Sequence, residues 1–167
     1  IIQLLIGKGA DVNASDANGR TPLIAASSHG YDKIVKLLLD NNANIHAKNK
    51  KGQTALMLAS AMGKNTIVKI LLEKEPYINT QDNFGRTPLI MASLSNHADT
   101  VKILLEKGAD RTIKTTVEIK PLPVGSTALD AAQIKNYQEI INLLKEQPQV
   151  QPIATLLEPL STLARHL

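Results

Sequence analysis

The sequence predicts an all-α solenoid of stacked helix-turn-helix units joined by β-hairpin loops, on three observations that recur in one register. Thr21-Pro22-Leu23 returns as Thr54-Ala55-Leu56 and as Thr87-Pro88-Leu89, 33 residues on each time, and as Thr127-Ala128-Leu129 a further 40 residues along. A second apolar run follows each copy at the same offset. Between the two runs stands Gly30, Gly63, Asn96 or Asn136, residues that enter the left-handed conformation cheaply and so end a helix. Self-similarity at a fixed period marks a stack in which each unit buries its apolar face only against its neighbours.

Each element has a local cause. In Thr-Pro the proline occupies the first turn, where its missing N–H has no intrahelical partner, and the threonine before it caps the helix. Leu23, Ala26 and Ser27 follow at helical spacing, with small residues that let adjacent units approach closely. The second runs are Ile34-Val35-Lys36-Leu37-Leu38-Leu39, Ile67 to Leu72, Thr100 to Leu105 and Ile140 to Leu144. Each reads as a longer helix with a buried face and a polar back. A turn and a short extended piece, as in Gly9-Ala10-Asp11-Val12-Asn13, then lead to the next Gly-x-Thr.

These residues resemble ankyrin repeats from Ile1 to about Lys145, through D-x-x-G-x-T-P-L-H-x-A-A-x-x-G followed by I-V-x-x-L-L-x-x-G-A-D-x-N. One departure is systematic. The histidine of T-P-L-H is Ile24, Met57, Ile90 or Asp130 here, so apolar packing or a different polar contact has to replace the hydrogen bond that histidine gives the family.

The expected array spans residues 1–147: a partial repeat over 1–15, complete repeats over 16–48, 49–81 and 82–114, an extended hairpin insertion over 115–125 and a last repeat over 126–147. Glu75-Pro76 stands where other units have Gly-Ala or Asn-Ala, so the helix exit there is expected to differ. The insertion is rich in β-branched residues from Arg111 to Lys120, which predicts a two-stranded finger that Pro121 and Pro123 terminate. It is either a binding element or a tolerated surface insertion. Residues 148–152 read as an extended linker. Over 153–167, Ile153, Leu156, Leu157, Leu160, Leu163, Ala164 and Leu167 share one helical face, which predicts an amphipathic helix that caps the last repeat or binds a partner.

Composition narrows the function. A chain of 167 residues buries roughly 70% of its unfolded surface. The 2% aromatic content fits thin Leu/Ile/Ala layers, and the absence of cysteine removes disulfides, thiolate metal sites and a cysteine nucleophile. The net charge of +4 is spread along the chain, a solubility term more than a nucleic-acid footprint. No apolar run reaches membrane-spanning length. No Gly-x-Gly-x-x-Gly, Walker loop, Gly-x-Ser-x-Gly or His-Glu-x-x-His occurs, and His29, His46, His97 and His166 lack ligand spacing. Lys36, Lys69 and Lys102 recur at the repeat period, as do Asp40, Glu73 and Glu106, and read as a solvated outer face.

The resemblance implies a non-catalytic module with no cofactor, binding a protein or peptide partner on hairpin tips and short-helix ends of a concave face. Carried onto this chain, those positions are Ala17, Asn18, Arg20, Ser28 and His29, then Lys50, Lys51, Gln53, Ala61 and Met62. The third unit supplies Asn83, Phe84, Arg86, Leu94 and Ser95, and the last Ser126, Ile134 and Lys135. Asn13 and Asn79 occupy the position that asparaginyl hydroxylases modify in related proteins, and serve otherwise as turn residues. Phe84, the only Phe, sits at a tip where the turn needs no apolar residue. It is expected to be a hot spot between Met62 and Leu94, rimmed by Arg20, Lys50, Lys51 and Arg86, for an apolar anchor with acidic flanks; the alternative is that it folds back on its own hairpin or the finger. The other function class is a regulatory or targeting ankyrin fragment of a larger enzyme, channel or secreted bacterial effector. A cytoplasmic setting is expected, or a host cell for an effector, and nucleic-acid binding is the weaker expectation.

Overall fold

Apolar residues at helical spacing, with a left-handed stop after each leading run, allow only short helices that must stack. The computed structural model describes residues 2–74 and 77–146, so Glu75-Pro76, the linker and the expected C-terminal helix lie outside the described residues. Among these residues are nine helices and no β-strand: α1 (Ile2–Gly7), α2 (Pro22–His29), α3 (Asp32–Asp40), α4 (Ala55–Ala61), α5 (Asn65–Leu72), α6 (Pro88–Leu94), α7 (Ala98–Glu106), α8 (Ala128–Ile134) and α9 (Gln138–Lys145). The leading helices α2, α4, α6 and α8 pack on one another in sequence. The trailing helices α3, α5, α7 and α9 form a second layer, each against the leading helix before it.

The threonine caps form as the sequence predicts. Thr21, Thr54, Thr87 and Thr127 hold extended backbone, and each Oγ1 accepts from the third helical N–H, at 3.4, 3.3, 3.2 and 3.3 Å. Such a cap contributes about 1 kcal/mol. The stops also hold, with φ of 85° at Gly30, 61° at Gly63, 61° at Asn96 and 56° at Asn136.

Both replacements for the family histidine occur. Ile24, Met57 and Ile90 are buried in apolar packing, each no more than 1% exposed. Asp130 instead closes a capping box, its Oδ2 accepting from the Thr127 N–H at 2.8 Å while Thr127 caps the Asp130 N–H. The core repeats Leu23, Leu56 and Leu89 against Val35, Val68 and Val101 and against Leu38, Leu71 and Leu104.

Ala26, Ala59, Ala92 and Ala132 keep the leading helices close, and Ser27, Ser60 and Ser93 are buried beside them. The Ser93 hydroxyl donates to the Leu89 carbonyl at 2.8 Å, whereas the hydroxyls of Ser27 and Ser60 have no partner among the described residues. A buried unpartnered hydroxyl costs its desolvation without return. Ser60→Ala is therefore expected to raise the unfolding free energy by about 1 kcal/mol in urea denaturation, and Ser93→Ala not to raise it.

The connections depart from expectation in one respect: among the described residues they are hydrogen-bonded turns without β-ladders. The expected two-stranded finger does not form. An isolated bridge, Ile119 to Leu122, is the only β-pairing among the described residues of the insertion. Leu122, 1% exposed, turns into the core, and Ser126 is tied back through its N–H to the Thr115 hydroxyl at 3.1 Å. Burial of one leucine outweighs an unsupported ribbon, because a two-stranded ribbon by itself is at best marginally stable.

Contacts between units also use the turns. The Asn13 side-chain oxygen accepts from the Asn44 N–H at 2.7 Å and that of Asn79 from the Asp110 N–H at 2.9 Å. In the intervening unit His46 replaces the asparagine, and its ring stacks on Tyr77 with centroids 4.5 Å apart. Asn13 and Asn79 thus join consecutive units.

Candidate interaction face at the loop tips

The tip of each complete unit is a turn closed by its first side chain. Asp82 Oδ1 accepts from the N–H groups of Phe84 and Arg86, both at 2.9 Å. Its Oδ2 takes Nε and Nη2 of Arg86 at 2.8 and 2.7 Å. In the first tip Asp16 does the same with Asn18 and Arg20. The Arg20 N–H, then its guanidinium, and the Asn18 N–H hold the Asp16 carboxyl below the ordinary aspartate value of 3.8. Asp110 is lowered likewise by the Thr112 hydroxyl and N–H. The middle tip keeps the geometry without charge: Asn49 Oδ1 accepts from Lys51 and Gln53, and Asn49 Nδ2 donates to Gln53 Oε1 at 3.0 Å.

Successive tips are bonded through their backbones. Lys50 N–H donates to Asn18 C=O at 3.0 Å, Asn83 N–H to Lys51 C=O at 3.1 Å, and Thr116 N–H to Phe84 C=O at 3.0 Å. Gln81 and Asn83 add side-chain donors to the carbonyls of Lys114 and Lys50. The four tips therefore form one pinned row, so side chains far apart in sequence are displayed in fixed order.

Between the first and second tips lies an open groove of about 360 Å³, lined by Arg20, Lys50, Lys51, Asn18 and Gln53 with Leu58 as its apolar contribution. Arg20 is engaged by Asp16, whereas neither Lys50 nor Lys51 meets a carboxylate among the described residues. Gln53 is 8% exposed with its side-chain oxygen used by Asn49, so it shapes the groove and is not a freely presented contact.

The other expected contacts divide. Phe84 is half-buried, with the Arg86 guanidinium 5.0 Å from its ring centroid, so the ring folds onto its own turn and does not stand free as an anchor. Arg86 is likewise committed to Asp82 and that ring. Asn83 is exposed and Leu94 half-buried, while Met62 and Ile134 expose 52% and 43% of their surface. His29 is exposed at the end of α2, its Nδ1 2.8 Å from the Ala25 carbonyl and its ring stacked with Tyr31.

Sequence reasoning missed Val117 and Val124, exposed by 43% and 61% on the fourth tip. They fall in the insertion, where the 33-residue register that located the other contacts no longer applies. It also read His97 only as lacking ligand spacing. His97 is half-buried and its Nε2 lies 3.1 Å from the Ala61 carbonyl, tying one unit to the preceding one.

Among the described residues, no three His, Cys, Asp or Glu side chains converge as metal ligands, and no helix is long and apolar enough to cross a membrane. A family model for ankyrin repeats matches the chain in three copies, over residues 1–82, 41–115 and 76–154. No curated protein matches it.

Proposed function

The chain belongs to the ankyrin repeat family, and from that premise we propose that it is a non-catalytic module whose loop tips and leading-helix ends bind an acidic protein segment carrying an apolar anchor. Ankyrin repeats are generally protein–protein interaction modules, and the family is typically non-catalytic. One observation supports an acidic partner above all: Lys50 and Lys51 line a groove with no carboxylate partner among the described residues. A ligand carboxylate would meet ammonium groups there without first displacing an internal ion pair, and electrostatic complementarity of this kind sets specificity and association rate. Exposed Met62 and Ile134 supply apolar area on the leading-helix ends, which makes binding less salt-dependent than neutralisation of a nucleic-acid backbone.

Selection from a random peptide library displayed on phage, using the full chain as bait, tests this. Enriched peptides are expected to combine Asp or Glu with a large apolar residue. Lys50→Glu with Lys51→Glu is expected to weaken them about tenfold at low salt. Peptides without acidic bias, whose affinity ignores that double substitution and Met62→Asp, would remove the tip face as the binding site.

A further inference from the structure

We propose that the tip row reads its partner in one axial order: acidic residues at the groove between the first and second tips, and an apolar residue on the fourth tip, about seven extended residues away. This deepens the acidic-partner reading and rests on it.

Charge along the row is unevenly distributed. In the first tip Asp16 offsets Arg20, and in the third Asp82 offsets Arg86. In the fourth, Glu118 and Lys120 are opposite in sign. Among the four tips the second alone carries a net charge, from Lys50 and Lys51, because Asn49 and Gln53 stand in place of the Asp/Arg pair that closes the first and third. Exposed apolar area has the reverse distribution. Among the described residues the first three tips show no large exposed apolar side chain, Ala17 being exposed but small and Phe84 half-buried under Arg86, while the fourth presents Val117 and Val124. The backbone bonds from Asn18 to Thr116 fix the row, so the two ends are held apart by the stack itself.

The spacing follows from the packing. Neighbouring helices lie about 8–10 Å apart, so the groove and the fourth tip are separated by about 20–25 Å, which an extended chain covers in about seven residues at ~3.3 Å each. A segment with both features at that separation engages both ends at once, and the second contact becomes intramolecular.

Fluorescence polarisation on the full chain tests this with labelled synthetic peptides. One carries Asp-Glu-Asp and Phe-Leu separated by seven Gly/Ser residues, one carries the same groups separated by a single Gly, and two carry either group alone. Each two-group peptide is made in both chain directions. The widely spaced peptide, in one direction, is expected to bind at least ~tenfold tighter than each of the other peptides, its own reversed form included. Lys50→Glu with Lys51→Glu should remove the acidic group's contribution, and Val117→Asp with Val124→Asp the apolar group's. If the closely spaced peptide binds as tightly, or the valine substitutions leave the widely spaced one unchanged while the lysine substitutions still weaken it, the axial order is wrong and the acidic-partner reading stands. If no peptide binds, or neither pair of substitutions changes any affinity, both are overturned.

Discussion

Asp82→Ala is expected to lower the unfolding free energy by about 3 kcal/mol, among the largest effects of any single polar substitution in the array. The Asp82 side chain is 0% exposed and the Arg86 side chain 17%, so the pair sits largely out of water. Removing the carboxylate takes away Oδ2, which meets Nε and Nη2 of Arg86, and leaves the N–H groups of Phe84 and Arg86 without Oδ1, the oxygen that closes their turn. A charge stranded in a half-buried site costs more than the pair contributed, because its desolvation is no longer offset. The control is Asp16→Ala. Asp16 bonds the matching backbone N–H groups and the Nε of Arg20, but the two side chains are 40% and 47% exposed, so water replaces what is lost and a distinctly smaller effect is expected. Urea denaturation followed by circular dichroism measures both. Equal losses would mean that burial is not what gives the third tip its weight.

Gly85→Ala is expected to cost about 3 kcal/mol, from two separate terms. Gly85 has φ of 77°, where an alanine costs about 1–2 kcal/mol. A Cβ there would also overlap the backbone nitrogen of Thr116, and overpacking of this kind costs about 1–3 kcal/mol when the neighbour is main chain. Gly125 separates the terms. Its φ is 82° but nothing lies within 4 Å of a Cβ at that position, so Gly125→Ala should carry only the conformational cost, about 1–2 kcal/mol. Similar losses at the two sites in thermal denaturation would show that close contact between tips contributes nothing to stability. A second consequence concerns recognition: displacing Thr116 disturbs the N–H that bonds the Phe84 carbonyl, so Gly85→Ala should also weaken ligands that span the third and fourth tips.

The repeated Thr-x-Leu, the following apolar run and the Gly or Asn between them are sufficient to read the helices, their caps and their stops, because each depends on interactions within a few residues. Membership of the repeat family was legible for the same reason, and so was the need for a substitute where the family histidine is missing. Which substitute each unit uses required the third dimension. Ile24, Met57 and Ile90 are isolated apolar letters until the stack buries them, and Asp130 becomes half of a capping box only once the helix has formed around it.

The candidate face was legible as positions and only partly as chemistry. Register placed Arg20, Lys50, Lys51, Asn83, Phe84 and Arg86 on the tips, but the state of each side chain depends on neighbours that local sequence does not rank. Arg86 was read as a rim cation and is spent on Asp82 and the Phe84 ring, while Lys50 and Lys51 meet no carboxylate among the described residues. The insertion shows the same limit. β-Branched content predicted a finger, and a non-local contact, the burial of Leu122, prevailed over local propensity.

By itself, then, the sequence determined the periodic helices, their boundaries and the surface on which recognition is expected, since a period of 33 residues and the chemistry of caps and stops act locally. The tertiary structure alone decided which charges are neutralised, which apolar groups remain exposed and how the tips are ordered along one row. The ion pairs join residues only four apart and the bonds between tips residues about one repeat apart, but the energy of either depends on burial that exists only after the units have stacked.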